Sequence, residues 1–118
     1  MSAEPEPTPA PSVIAKRGEA TYDLPTIKAH VSINREACFT GSAQDGVWEM
    51  GLTISQAIDC ICNFNGPPYK TMPVSKTELA HLNLWQDVYH IPTPVGLAYV
   101  KFTYDTTNYH VVISFKEL

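Results

Sequence analysis

The strongest constraint on the fold is the two-residue periodicity of the last third of the chain, from Leu84 to Leu118. Two runs, Gly96 to Tyr104 and Tyr109 to Lys116, are rich in Val, Ile, Tyr, Phe and Thr. Between them, Asp105-Thr106-Thr107-Asn108 are turn formers at hairpin length. In the first run Ala98, Val100, Phe102 and Tyr104 share one face, and Leu97, Tyr99, Lys101 and Thr103 the other. In the second, Val111, Ile113 and Phe115 oppose His110, Val112, Ser114 and Lys116. Such alternation predicts an antiparallel pair with one packed face and one freer face. With a symmetric four-residue loop, Tyr104 faces Tyr109, Tyr99 faces Ser114 and Leu97 faces Lys116. Tyr99 and Lys116 are then diagonal neighbours on the freer face, roughly 7–8 Å apart at the backbone. A one-residue slip would bury Lys116, so the apolar set opposes it.

Upstream the period changes to that of helices. Asp23 is a good N-cap, Pro25 suits a first turn, and Leu24, Ile27 and Val31 share one helical stripe, with Lys28 and His30 off it. A short β-type piece, Ala37 to Thr40, is expected next, then a helical or turn segment from Gly41 that breaks at Gly46. Thr53 and Gln56 have capping-box spacing, opening a helix to about Asn63 with Ile54, Ala57, Ile58 and Ile61 inward. Asn65-Gly66-Pro67-Pro68 ends it. Tyr69 to Val74 can be a strand only as far as Pro73, which makes it an edge. Ser75 to His81 reads as loop or a short helical turn, and Leu84 to Tyr89 as a short strand before Pro92 and Pro94. Helices followed by strands predict an α+β fold, an antiparallel sheet with helices on one face.

Composition narrows the rest. The first twelve residues hold Pro5, Pro7, Pro9 and Pro11 with Glu4 and Glu6, too little apolar surface to offset ordering. Residues 1–15 are therefore expected to be a disordered, proline-rich tail, and 20–118 a single domain. No apolar run approaches the roughly 18 residues of a membrane span, nor does the start look like a signal peptide, so a soluble cytoplasmic protein is expected. Cys38, Cys60 and Cys62 are odd in number without a CxxC, which favours free buried thiols over a disulfide framework or zinc knuckle. Trp85 and Tyr89 should face the core, and Asp87 should satisfy buried backbone groups rather than bind a metal. No metal or other cofactor is indicated. The net charge of −4 excludes a broadly cationic nucleic-acid binder, so any phosphate attraction must come from local lysines.

Several short segments, in this order and spacing, resemble the MqsR family. They are Tyr69-Lys70-Thr71-Met72, Trp85-Gln86-Asp87-Val88-Tyr89, Tyr99-Val100-Lys101 and Ser114-Phe115-Lys116-Glu117, with Met50-Gly51-Leu52 ahead of the capped helix. The resemblance runs from about Tyr22 to the C-terminus. It implies a RelE-like toxin of a type II toxin–antitoxin system, an endoribonuclease (mRNA interferase) that cuts mRNA without a metal. It also implies a cognate antitoxin as partner, a DNA-binding protein that regulates the operon. Carried over by residue, it makes Lys70, Gln86, Tyr99 and Lys116 the catalytic set. Tyr69 and Met72 match positions flanking that set, and His90 stands where the family pattern has arginine.

The residue types suit such a reaction. Attack of a 2′-hydroxyl on the adjacent phosphate needs a proton acceptor, a proton donor and positive charge at the phosphorane. Lys70 and Lys116 supply charge, and either can act as acid or base if its pKa is lowered. Tyr99 can donate a proton or hold the phosphate, and Gln86 can orient it. His90 and Lys101 are candidate substrate contacts, while His81 and His110 rank lower. The runner-up reading is a non-catalytic binding or regulatory module on the same fold.

Overall fold

A computed structural model of the chain describes residues 20–73, 85–105 and 110–118. The tail and the segment from Ser75 to His81 lie outside the described residues. Three helices, α1 (Leu24–Asn34), α2 (Gly41–Glu49) and α3 (Ile54–Asn63), precede four strands. These are β1 (Lys70–Pro73), β2 (Trp85–Thr93), β3 (Gly96–Asp105) and β4 (His110–Glu117). The strands form one antiparallel sheet in chain order, β1-β2-β3-β4, with the helices packed on one face, as the patterning predicts.

Local chemistry sets the helix ends. The Asp23 carboxylate accepts from Thr26 N at 3.2 Å to start α1. Both halves of the α3 capping box form, Gln56 N donating to Thr53 Oγ1 at 3.1 Å and Thr53 N to Gln56 Oε1 at 2.8 Å. At the far end of α3 the Lys28 ammonium donates to Phe64 O at 2.9 Å and to Asn65 Oδ1 at 2.7 Å. A cation there meets the carbonyls a helix leaves unpaired. Ile27, Val31, Ala57, Ile58 and Ile61 reach the core, where they meet Tyr89, Val100, Phe102, Val111, Ile113 and Phe115 from the sheet.

Three local expectations need correction. Residues Arg35–Cys38 form a 3-10 turn rather than a β piece, and only Phe39 bridges, in parallel, to Ile113. The helix from Gly41 does not break at Gly46 but continues to Glu49. Gly46 is there because β4 passes against it: a Cβ at that position would lie 2.0 Å from Phe115 O. The glycine permits contact between α2 and β4, and no turn is involved. The third correction is β2, which runs through Pro92 to Thr93. Its pairing with β1 ends at Lys70–Val88, so Pro92 sits where β3 is the neighbouring strand and a missing N–H is tolerated.

Asp87 behaves as expected. Only 1 % exposed, its two carboxylate oxygens accept from Thr21 N at 2.9 Å and Tyr22 N at 2.8 Å. Tyr22 also donates its hydroxyl to Trp85 O at 2.6 Å, fixing the entry of the domain to β2. Trp85 and Tyr89 are buried. All three cysteines are free, though only Cys38 is buried and Cys60 and Cys62 are half-buried. Among the described residues no helix is long and apolar enough to cross a membrane.

Candidate active site

The freer sheet face collects the residues singled out in the sequence. Strand alternation and register put Lys70 and Met72 of β1, Gln86, Val88 and His90 of β2, Tyr99 and Lys101 of β3, and Ser114 and Lys116 of β4 on this one face. The hairpin register differs from the symmetric-loop expectation by two residues. Asp105 pairs with His110, and Tyr99 lies directly opposite Lys116 rather than diagonal to it. Tyr104 faces Val111, not Tyr109, while Leu97 O accepts from Leu118 N at 3.1 Å. Asp105 belongs to β3 and is buried, and residues 106–109 lie outside the described set. A shift of two leaves every residue on its original face, so burial patterning alone could not detect it.

Direct pairing gives a compact row. The Lys116 ammonium lies 5.3 Å from the centroid of the Tyr99 ring. His90 is the cross-strand partner of Tyr99, their ring centroids 5.9 Å apart. Tyr69 stacks on the other side of His90 at 4.2 Å and 21°. Its backbone N donates to Val88 O at 2.7 Å, which holds the lead-in to β1 against the sheet. Lys70 Nζ lies 5.8 Å from the Tyr69 ring. The order across the face is therefore Lys70, Tyr69, His90, Tyr99, Lys116, three rings bracketed by two ammoniums. Contacts of this kind are cation–π in character and leave the N–H donors available to a ligand.

The other candidates are less central. Lys101 pairs with Val88 and Ser114 and lines a 220 Å³ pocket with Ser42, Tyr99, Ser114 and Lys116. Ser114 could have been found from alternation, since it shares the face of Lys116. No sequence signal pointed to Ser42, which α2 contributes because Gly46 lets that helix lie against β4. Gln86 is 9 % exposed and pairs with Met72. It lies four residues along β2 from His90, roughly 13 Å at strand rise. The structure thus brings Tyr69, His90, Tyr99 and Lys116 together, with Lys70 and Lys101 beside them, and holds Gln86 and Met72 further along the same face.

Histidine placement separates structural from available rings. His110 Nε2 lies 3.1 Å from Ala37 O, and His30 Nε2 accepts from Val111 N at 3.4 Å, so both are tied to backbone. His81 lies outside the described residues. Burial pushes the phenols of Tyr22 and Tyr89 up to about 12 and the Cys38 thiol up to about 11, all away from this face. Among the described residues no three His, Cys, Asp or Glu side chains lie close enough to hold a metal ion.

The α+β fold packs its helices on one sheet face and gathers ammoniums and aromatic rings on the other. Ammoniums attract phosphate and aromatic faces stack on bases. Over residues 19–117 the sequence matches the family described as motility quorum-sensing regulator, toxin of MqsA. The chain belongs to this MqsR toxin family, which makes it a toxin of a toxin–antitoxin system with an antitoxin as partner. No curated protein matches the chain.

Proposed function

We propose that the protein is a metal-independent endoribonuclease that cleaves mRNA and is silenced by its cognate antitoxin. The observation that carries this reading is the direct Tyr99–Lys116 pair, with Lys70, His90 and Lys101 on the same face. In the reaction the 2′-oxygen passes its proton to the neutral amine of Lys70 or Lys116 as it bonds to phosphorus, and the P–O5′ bond breaks, its oxygen taking up a proton. The products are a 2′,3′-cyclic phosphate and a free 5′-hydroxyl. Lys116 and Lys70 stabilise charge on the phosphorane, and Tyr99 donates a proton to the leaving oxygen or holds the phosphate. Gln86, buried and further along β2 on the same face, orients the neighbouring part of the site through its amide. Tyr69 and Met72 flank the bound strand.

The test is cleavage of single-stranded RNA by the purified full-length chain with EDTA present. Lys116→Ala and Tyr99→Phe should each lower the rate by about a hundredfold or more while leaving the circular dichroism unchanged. Undiminished cutting by both variants overturns the assignment. If no RNA is cut under any condition, the non-catalytic module takes its place.

A further inference from the structure

We propose that His90 is a proton-operated phosphate contact, so that RNA binding by this face strengthens as the pH falls. The inference rests on the reading of the face as an RNA site and adds a control to it. His90 occupies the middle of the row, half-buried, with Tyr69 stacked on it at 4.2 Å and the Tyr99 ring tilted beside it at 5.9 Å and 39°. No hydrogen bond among the described residues engages either of its ring nitrogens, in contrast to His30 and His110. Tyr69 covers one face of the ring and Tyr99 lies tilted beside it, between the flanking ammoniums of Lys70 and Lys116.

The other ionisable groups around His90 are of different chemical kinds. Facing it are Tyr69 and Lys70 from the β1 side and Tyr99 from β3, with Lys101 and Lys116 beyond. Ammoniums and phenols ordinarily titrate at about pH 10, whereas imidazole does so between about pH 5 and 8. Asp87 points to the opposite face, where its oxygens are bound to Thr21 and Tyr22. Protonation gives His90 a full positive charge and a second N–H donor within the aromatic row. In a chain with a net charge of −4, one added local charge is a large fraction of what the site offers a phosphate. Linkage is reciprocal, so bound RNA must also raise the affinity of His90 for its proton.

The experiment measures anisotropy of a labelled 2′-O-methyl single-stranded oligonucleotide, which cannot be cleaved, binding to the full chain at fixed ionic strength. Between pH 8 and 5.5 the wild-type affinity should rise by about tenfold, as expected for one charge-assisted contact. The slope of log affinity against log salt should steepen by about 0.7, the value for one phosphate on a single strand. His90→Arg, which keeps stacking and charge, should bind tightly with little pH dependence, and His90→Gln weakly with little pH dependence. In NMR titrations the His90 imidazole should titrate about one pH unit higher when the oligonucleotide is bound. A flat wild-type profile, or a wild-type-like slope surviving in His90→Gln, overturns the inference. If wild type cuts RNA yet shows a flat profile, only this inference falls. Should wild type neither bind nor cut any RNA, the nuclease reading falls with it.

Discussion

Replacing Gly46 by alanine should destabilise this protein, against the rule for helix interiors. Glycine to alanine within a helix ordinarily stabilises by up to about 1 kcal/mol, because glycine loses more backbone freedom on folding. Here the added Cβ would sit 2.0 Å from Phe115 O, 3.0 Å from Phe115 C and 3.2 Å from Lys116 Cα, all backbone atoms that no rotamer change can move. Reaching even a 3.0 Å contact requires α2 and β4 to part by at least about 1 Å. Ala43 and Val47 are buried on the same helix and would be drawn out of their contacts. Overpacking of this kind costs about 1–3 kcal/mol, and a Cβ forced against fixed backbone belongs at the upper end. After the propensity gain, a net loss of about 2 kcal/mol is expected, lowering Tm by roughly 8–10 °C in a domain of this size. Urea denaturation followed by circular dichroism reads the change as a lower midpoint at constant slope. Gly41→Ala is the internal control, since nothing lies within 4 Å of its added Cβ, and it should be neutral or stabilising. Because Phe115 precedes Lys116, Gly46→Ala should also reduce RNA cleavage more than its stability loss accounts for. A Gly46→Ala protein as stable as wild type would refute the proposed contact between α2 and β4.

Two further outcomes follow from groups outside the site. Asp87→Ala leaves the N–H groups of Thr21 and Tyr22 without their acceptor and should cost about 2–4 kcal/mol in chemical denaturation, with a variant near wild-type stability contradicting the anchor. Burial, with a smaller contribution from the Asp87 carboxylate, raises the Tyr22 and Tyr89 phenols from 10.0 to about 12. Their protonated forms belong to the folded state, so stability is intact below pH 10 and lost as the pH climbs from 10 toward 12, where the unfolded chain sheds protons first. Denaturation midpoints measured across that range should fall in wild type and fall less in Tyr89→Phe; a flat midpoint would show these phenols to be solvated.

The helices were legible because their signals are local. Asp23 and the Thr53–Gln56 pair cap within three residues of themselves, and Ile27, Val31, Ala57, Ile58 and Ile61 recur at the helical period. Alternation likewise placed Tyr99, Lys101 and Lys116 on one sheet face. What alternation could not do was count the turn. Parity distinguishes odd shifts from even ones, and the true register is an even shift away, which turns a diagonal Tyr99–Lys116 relation into direct opposition. Gly46 misled for a related reason: in sequence a glycine within a polar stretch reads as a break, and the strand requiring it lies about seventy residues away.

Taken alone, the order of residues determined the α+β class, the capped helices, which side of the sheet the helices pack on, and the role of Asp87. These follow from periodicity and from hydrogen-bonding groups whose partners are nearby or are plain backbone. Only the tertiary structure decided that His90 lies between Tyr69, stacked on it, and Tyr99, that Gln86 is buried some way along the strand, and that Ser42 joins the lysines. Each of those depends on strand register or on a helix meeting a distant strand. Such contacts are set by the packing of the whole domain, and no window of neighbouring residues encodes them.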